Sequence, residues 1–287
     1  MTLKLKPTND LVFKKIFGTE KNIPILQSFV QDMLGFEIEI IKINNPYHIE
    51  DFINQESDKL NYTEVDILAE TESGQLITIE MQLTNHKNFL ERSLFYACKG
   101  YIKDYANQSK MANEYKFSSI KDTYSINIIN FDLFGFNFPS LLNFEFKERQ
   151  SNYPLAKTGM QTITLTYFSL KNKNPNNSRV SEWQRFFKGE SLQNSSPEYI
   201  HSAKKLLDRL HLDKEEQRMA EILSKRQMIR QAEMEYATEQ GLERGLEQGR
   251  EEERSNNIKK LFDNGLSLEQ ISEFLEIPLD QVRTIVK

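Results

Sequence analysis

A chain of 287 residues is long enough for one large domain or two modest ones, and 19 Phe with 11 Tyr supply apolar side chains for a real core. No apolar run approaches the roughly 20 residues that span a bilayer, the opening MTLKLKPTND carries no signal-peptide-like stretch, and a single cysteine, Cys98, excludes an intramolecular disulfide and a cysteine-rich zinc site. The formal net charge of -5 leaves DNA binding to a local cluster of Lys and Arg rather than to a basic whole, and the cytoplasm is the expected location.

Residues 8–34 read as helix, capped by Thr8 or Asn9, with Phe13, Ile16 and Phe17 at helical spacing. Gly18 breaks it, and a second helix runs from about residue 23 to the stop at Gly35. EIEIIKIN, residues 37–44, alternates as a β-branched strand, and a loop follows over 46–59. Two further strands, EVDILAE and QLITIEMQL, are joined by Thr71-Glu72-Ser73-Gly74, which reads as a hairpin turn. Residues 88–105 return to helix, with Cys98 expected as a buried small residue. Strands are expected at 123–131, 142–148 and 162–170, then a polar loop at 171–178 that marks a module boundary. Helices dominate from 182–187 and from 198 onward.

The carboxy-terminal third holds a charged helix over 214–254 in which Gly241, Gly245 and Gly249 recur every four residues. Each Gly costs about 1 kcal/mol against Ala in a helix, so the stripe signals either close approach of a second helix or a flexible linker. The last thirty residues read as three short helices, with Ser267 capping one and Pro278 opening the last. Arg283 and Lys287 are the basic residues of that last segment, thin for major-groove reading. The four His residues lack metal-ligand spacing.

The hairpin carries the chemistry. Alternation puts Ile77, Ile79, Met81 and Leu83 on one face and Thr78, Glu80 and Gln82 on the other. Asp66 on one strand and Glu80 on its neighbour are two hard oxygen donors at one point. Mg²⁺ is commonly held by one or two carboxylates with waters and phosphate oxygens, and so held it activates a water and offsets charge on a phosphate. Arg92, Tyr96, Lys99 and Lys103 follow at three- or four-residue spacing on one helical face. Arg92 and Lys99 are candidate phosphate and DNA contacts, against a solvated helix face, whereas Tyr96 reads as packing.

Asp66, thirteen intervening residues and then Glu80-Met81-Gln82 resemble the PD-(D/E)XK nuclease motif. More narrowly, TNDLVFKKIFG, EVDILAE, IEMQ, ERSLFYACKGY, SINIINFDLF, WQRFF and the Gly-Leu-Glu repeat resemble, in that order, the Rpn family of recombination-promoting nucleases and transposases. The resemblance implies an α/β fold, a PD-(D/E)XK restriction-endonuclease-like core of mixed sheet flanked by helices with an all-helical carboxy-terminal extension. It casts Asp66 and Glu80 as metal ligands, Gln82 as the third catalytic position, and Asp10 as an acidic residue that completes the site, although an Asp in a first helical turn also simply suits the dipole. The superfamily has Lys where this chain has Gln82; an amide cannot act as a general base but can orient a water or contact a phosphate. The expected modules are a nuclease-like core at 1–172, a helical extension at 173–240, and the repeat helix with a helix-turn-helix-like tail at 241–287.

The expected activity is a Mg²⁺-dependent endonuclease, with Mn²⁺ as a substitute, acting on double-stranded DNA in recombination or transposition and self-associating through the carboxy-terminal helices. The alternative is a weak or inactive nuclease fold that binds DNA or oligomerises.

Overall fold

The computed structural model describes residues 6–45, 65–103, 117, 120–173 and 178–286. The loop expected at 46–59 lies outside them, as do residues 174–177 of the polar loop at 171–178. Two compact units divide the chain at Gln227/Met228.

The first unit is built on a six-stranded mixed sheet in the order β1-β2-β3-β4-β6-β5. Its strands are β1 (Ile40–Ile43), β2 (Ile67–Thr71), β3 (Leu76–Gln82), β4 (Thr123–Ile129), β5 (Leu141–Phe144) and β6 (Ile163–Ser169). β1, β2 and β3 are antiparallel, β3–β4 and β4–β6 are parallel, and β5 returns antiparallel on β6. The helices are α1 (Asp10–Phe17), α2 (Ile23–Leu34), α3 (Phe89–Tyr101), α4 (Ser178–Lys188), α5 (Glu198–Asp208) and the first turns of α6 (Lys214–Asp263). All seven residues of β4 are buried, as expected of a central parallel strand covered on both faces.

The main core lies on one face of the sheet. Ile67, Ala69, Ile77, Ile79, Met81, Ile126 and Ile128 meet Phe13 and Phe17 of α1, Phe29 of α2, and Trp183, Phe186 and Phe187 of α4. The alternation expected of β3 is present, with Ile77, Ile79 and Met81 in this core and Glu80 and Gln82 half-buried on the opposite side, where α3 lies.

Local chemistry fixes the helix ends. Asn9 caps α1 by accepting from Leu11 N and Val12 N at 3.2 and 3.3 Å. Its amide also donates to Ala220 O and Ser224 Oγ, both at 3.0 Å, tying α1 to the start of α6. Asn9→Ala therefore removes a cap and leaves a buried carbonyl short of a donor; urea unfolding is expected to show a loss of about 1–2 kcal/mol. Gly35 ends α2 at φ 81°, the left-handed conformation glycine adopts without strain.

Two strands are cut to about half the length that the sequence pattern suggests. β1 starts only at Ile40 because α2 side chains take the backbone before it: Gln31 Nε2 donates to Ile38 O (2.9 Å) and Gln27 Oε1 accepts from Ile40 N (3.0 Å). β5 stops at Phe144 because residues 146–148 pair with 153–155 instead, through Leu155 N to Phe146 O and Glu148 N to Tyr153 O, both 2.9 Å. Cys98 is exposed, correcting the expectation of burial: the α3 period buries Tyr96 and Ala97 and turns the next position outward.

In the second unit, the end of α6, α7 (Leu268–Phe274) and α8 (Leu279–Val286) surround a small core of Ile258, Ile271, Ile277 and Val282. The first of the three expected short helices is the last stretch of α6 rather than a separate element, because no breaker precedes Gly265 in it. Ser267 and Gln270 form the capping box at α7. A Cβ at Gly241, Gly245 or Gly249 would meet no heavy atom within 4 Å, so among the described residues no helix packs on that stripe. No described helix is long and apolar enough to cross a membrane.

Candidate active site

Strand pairing brings the two carboxylates together. Ile67 pairs with Ile79, so the next residues outward, Asp66 and Glu80, face each other across β2 and β3. Asp66 Oδ2 accepts from the backbone N–H of Met81 at 2.8 Å, which fixes the carboxylate against β3 beyond the last backbone pair. The turn that sets this register is closed by Gly74 N to Thr71 O (3.0 Å), with Gly74 at φ 81°. Behind Asp66, Asn45 Nδ2 donates to the carbonyls of Val65 and Asp66, and its Oδ1 accepts from Leu68 N.

Arg92, one turn into α3, joins the motif residues. Its Nη2 is ion-paired to Glu80 Oε1 and donates to Gln82 Oε1 at 3.0 Å. Gln82 uses its other end to donate to Thr84 O at 3.0 Å, so its amide holds Arg92 in place and keeps one N–H in hand. Arg92 Nε is enclosed and has no hydrogen-bond acceptor among the described residues. On the other side, Lys14 Nζ stands 3.9 Å from Asp66 Oδ1.

Both carboxyls ionise less readily here than they would in water. Burial pushes Asp66 up from its ordinary value, partly offset by Lys14, the Met81 N–H and Arg92. Burial also raises Glu80, and the neighbouring Asp66 charge adds to this while Arg92 opposes it. The Tyr96 hydroxyl is raised by burial and by Glu80, which places it in the same electrostatic neighbourhood. Two half-buried carboxylates held side by side with raised pKa values suit a divalent cation, which relieves both desolvation and mutual repulsion. Among the described residues no group of three or more His, Cys, Asp or Glu is placed to hold a metal ion, so a cation at this point would have these two carboxylates as its charged protein donors. That is the sparse set Mg²⁺ accepts when water and phosphate supply the rest.

The residues expected from the sequence thus separate. Asp66, Glu80, Gln82 and Arg92 converge. Asp10 is the exposed first residue of α1, one turn before the Lys14 that stands by Asp66, and Lys99 is exposed two turns beyond Arg92. Lys14 and Asn45 were not legible as site residues. The one available signal for Lys14 was its i+4 spacing from Asp10, and Asn45 acts through backbone groups that sequence alone does not reveal.

No curated protein and no solved structure matches the chain. The family described as PD-(D/E)XK nuclease family transposase matches residues 7–240, which takes in the whole sheet, α1 to α5 and both carboxylates. The mixed six-stranded sheet flanked by helices agrees with that match, and the chain belongs to the PD-(D/E)XK nuclease family transposases.

Proposed function

We propose that the protein is a metal-dependent DNA endonuclease, hydrolysing phosphodiester bonds in the service of transposition or recombination, with Asp66 and Glu80 holding Mg²⁺ or, as a substitute, Mn²⁺. The observation that carries this reading is the pair itself: two carboxylates from adjacent strands, on one face, bracketed by Lys14 and Arg92. When bound, the metal supplies Lewis acidity at the phosphate and lowers the pKa of a water.

The chain's own residues supply the rest. The Met81 N–H orients Asp66 towards β3. Gln82 positions the Arg92 guanidinium, whose enclosed Nε lacks an acceptor that a phosphate oxygen would provide. Arg92, ion-paired to Glu80, stands beside the carboxylate pair, and its guanidinium would be available to the negative charge developing on a phosphate if a metal engaged Glu80. Gln82 does not serve as a general base, since an amide has no basic lone pair at neutral pH. A bound metal would make the water easier to deprotonate, and its proton would pass to a site carboxylate or to solvent.

The test is nicking of supercoiled plasmid. Nicking is expected with Mg²⁺ or Mn²⁺, to stop on addition of EDTA, and to return when metal is restored. Cleavage that persists at full rate in EDTA would remove the metal from the mechanism.

A further inference from the structure

A cavity of about 280 Å³ opens beside the carboxylate pair, on the same face of the sheet. Leu68, Leu76 and Thr78 form its floor, and Tyr96, Lys99 and Lys103 of the α3 side form its wall. Thr78 precedes Glu80 by two residues and Leu68 follows Asp66 by two, so the floor begins roughly 7 Å from the carboxylates at about 3.3 Å per strand residue. Tyr96, Lys99 and Lys103 continue the helical face that starts with Arg92, and so the cavity extends the site without a break.

Its chemistry is specific. Leucine side chains and a tyrosine ring give an apolar interior, two lysines give positive charge, and among the described residues no Asp or Glu lines it. That combination complements a nucleotide, a flat aromatic base on a negatively charged backbone: bases stack on aromatic side chains while cations follow the phosphates. The volume lies just below the roughly 300–1,000 Å³ of drug-sized ligand pockets. It suits one base with its sugar, whereas a base pair held in a duplex stack cannot enter a slot between a helix and a sheet.

We propose that this cavity receives one unpaired base of the DNA strand next to the phosphate being cut, so that cleavage is directed to DNA that is single-stranded or locally open. An enzyme that works on a base in this way gains selectivity because opening the stack is least costly where pairing is already lost. The inference rests on the nuclease reading above and narrows its substrate.

The experiment is fluorescence anisotropy with the full chain in EDTA, where no cleavage occurs. Three labelled oligonucleotides of one sequence are compared: single-stranded, fully duplex, and single-stranded with three central abasic residues. The natural single strand is expected to bind about tenfold more tightly than either of the others, in line with about 1–3 kcal/mol per stacked base. Leu68→Trp, which fills the cavity, is expected to bring the natural strand down to the abasic level. Equal binding of natural and abasic strands by the wild-type protein would overturn the proposal, and this comparison needs no variant to fold. A discrimination that survives in folded Leu68→Trp would overturn it too. A protein that nicks plasmid yet ignores the missing bases refutes the cavity assignment alone, whereas one that neither nicks nor binds any of the three refutes the nuclease reading with it.

Discussion

Glu80→Gln is expected to lower metal-dependent nicking about 100- to 1,000-fold while raising the melting temperature of the metal-free protein. The loss follows from removing one of two charged metal donors: a bound metal contributes several kcal/mol of charge stabilisation in the transition state, at about 1.4 kcal/mol per factor of ten. The gain in stability follows from the raised pKa of Glu80, which shows that burial and the Asp66 charge together outweigh the attraction of Arg92. A neutral amide of the same shape escapes that penalty and still accepts a hydrogen bond from Arg92. Opposite movement of activity and stability is the signature of a site strained for its ligand rather than for the fold.

The same pKa shifts fix a pH dependence. Asp66 and Glu80 sit above their ordinary values of 3.8 and 4.5 in the folded protein. Between those values and the raised ones, the folded chain keeps protons that the unfolded chain has released, so their contribution to stability is present at low pH and is lost as pH rises. Thermal melts in EDTA should therefore decline less steeply with rising pH in Glu80→Gln than in wild type. Mg²⁺ should restore wild-type stability at neutral pH, because it binds the ionised pair.

Trp183→Ala is expected to have the largest effect on folding, a loss of about 3–5 kcal/mol in denaturant unfolding. The indole is fully buried and meets Phe17, Phe29, Phe186, Phe187 and Tyr199 with ring centroids between 5.1 and 6.3 Å. It is also polar at one point: Nε1 donates to the buried Asp32 Oδ2 at 2.9 Å, the same oxygen that accepts from Tyr199 at 2.7 Å. The alanine variant combines a cavity with a poorly satisfied buried carboxylate. Trp183→Phe separates the two effects, keeping most of the ring volume and losing only the donor, for which about 1–3 kcal/mol is expected.

Much of this was legible in the sequence where period and turn chemistry agree. The hairpin could be read because Thr71 to Gly74 is a strong turn and β3 alternates over seven residues, and the faces of Glu80 and Gln82 follow from that alone. Phe13, Ile16 and Phe17 likewise announced the buried face of α1. What the sequence concealed depends on long-range side-chain contacts. β1 is shortened by glutamines on a preceding helix, and β5 by a local hairpin that competes for its backbone. Trp183, far along the chain, completes the aromatic core around α1 and α2. At the site, spacing within α3 grouped Arg92 with Lys99, but only the packing of α3 on the sheet shows Arg92 bonded to Glu80 and Gln82 while Lys99 lies over the neighbouring cavity. Tyr96 read as packing and is indeed buried, yet its hydroxyl shares the field of Glu80.

The most direct measurement is calorimetric titration of Mg²⁺ or Mn²⁺ into the full chain and into Asp66→Asn and Glu80→Gln. Asparagine at 66 keeps an acceptor for the Met81 N–H, so a folded variant that has lost only the charge is expected. Saturable binding in the wild type that disappears in both variants is the expected result. Equal binding in all three proteins, or none in the wild type even with DNA present, would contradict the assignment of Asp66 and Glu80 as the metal-holding pair.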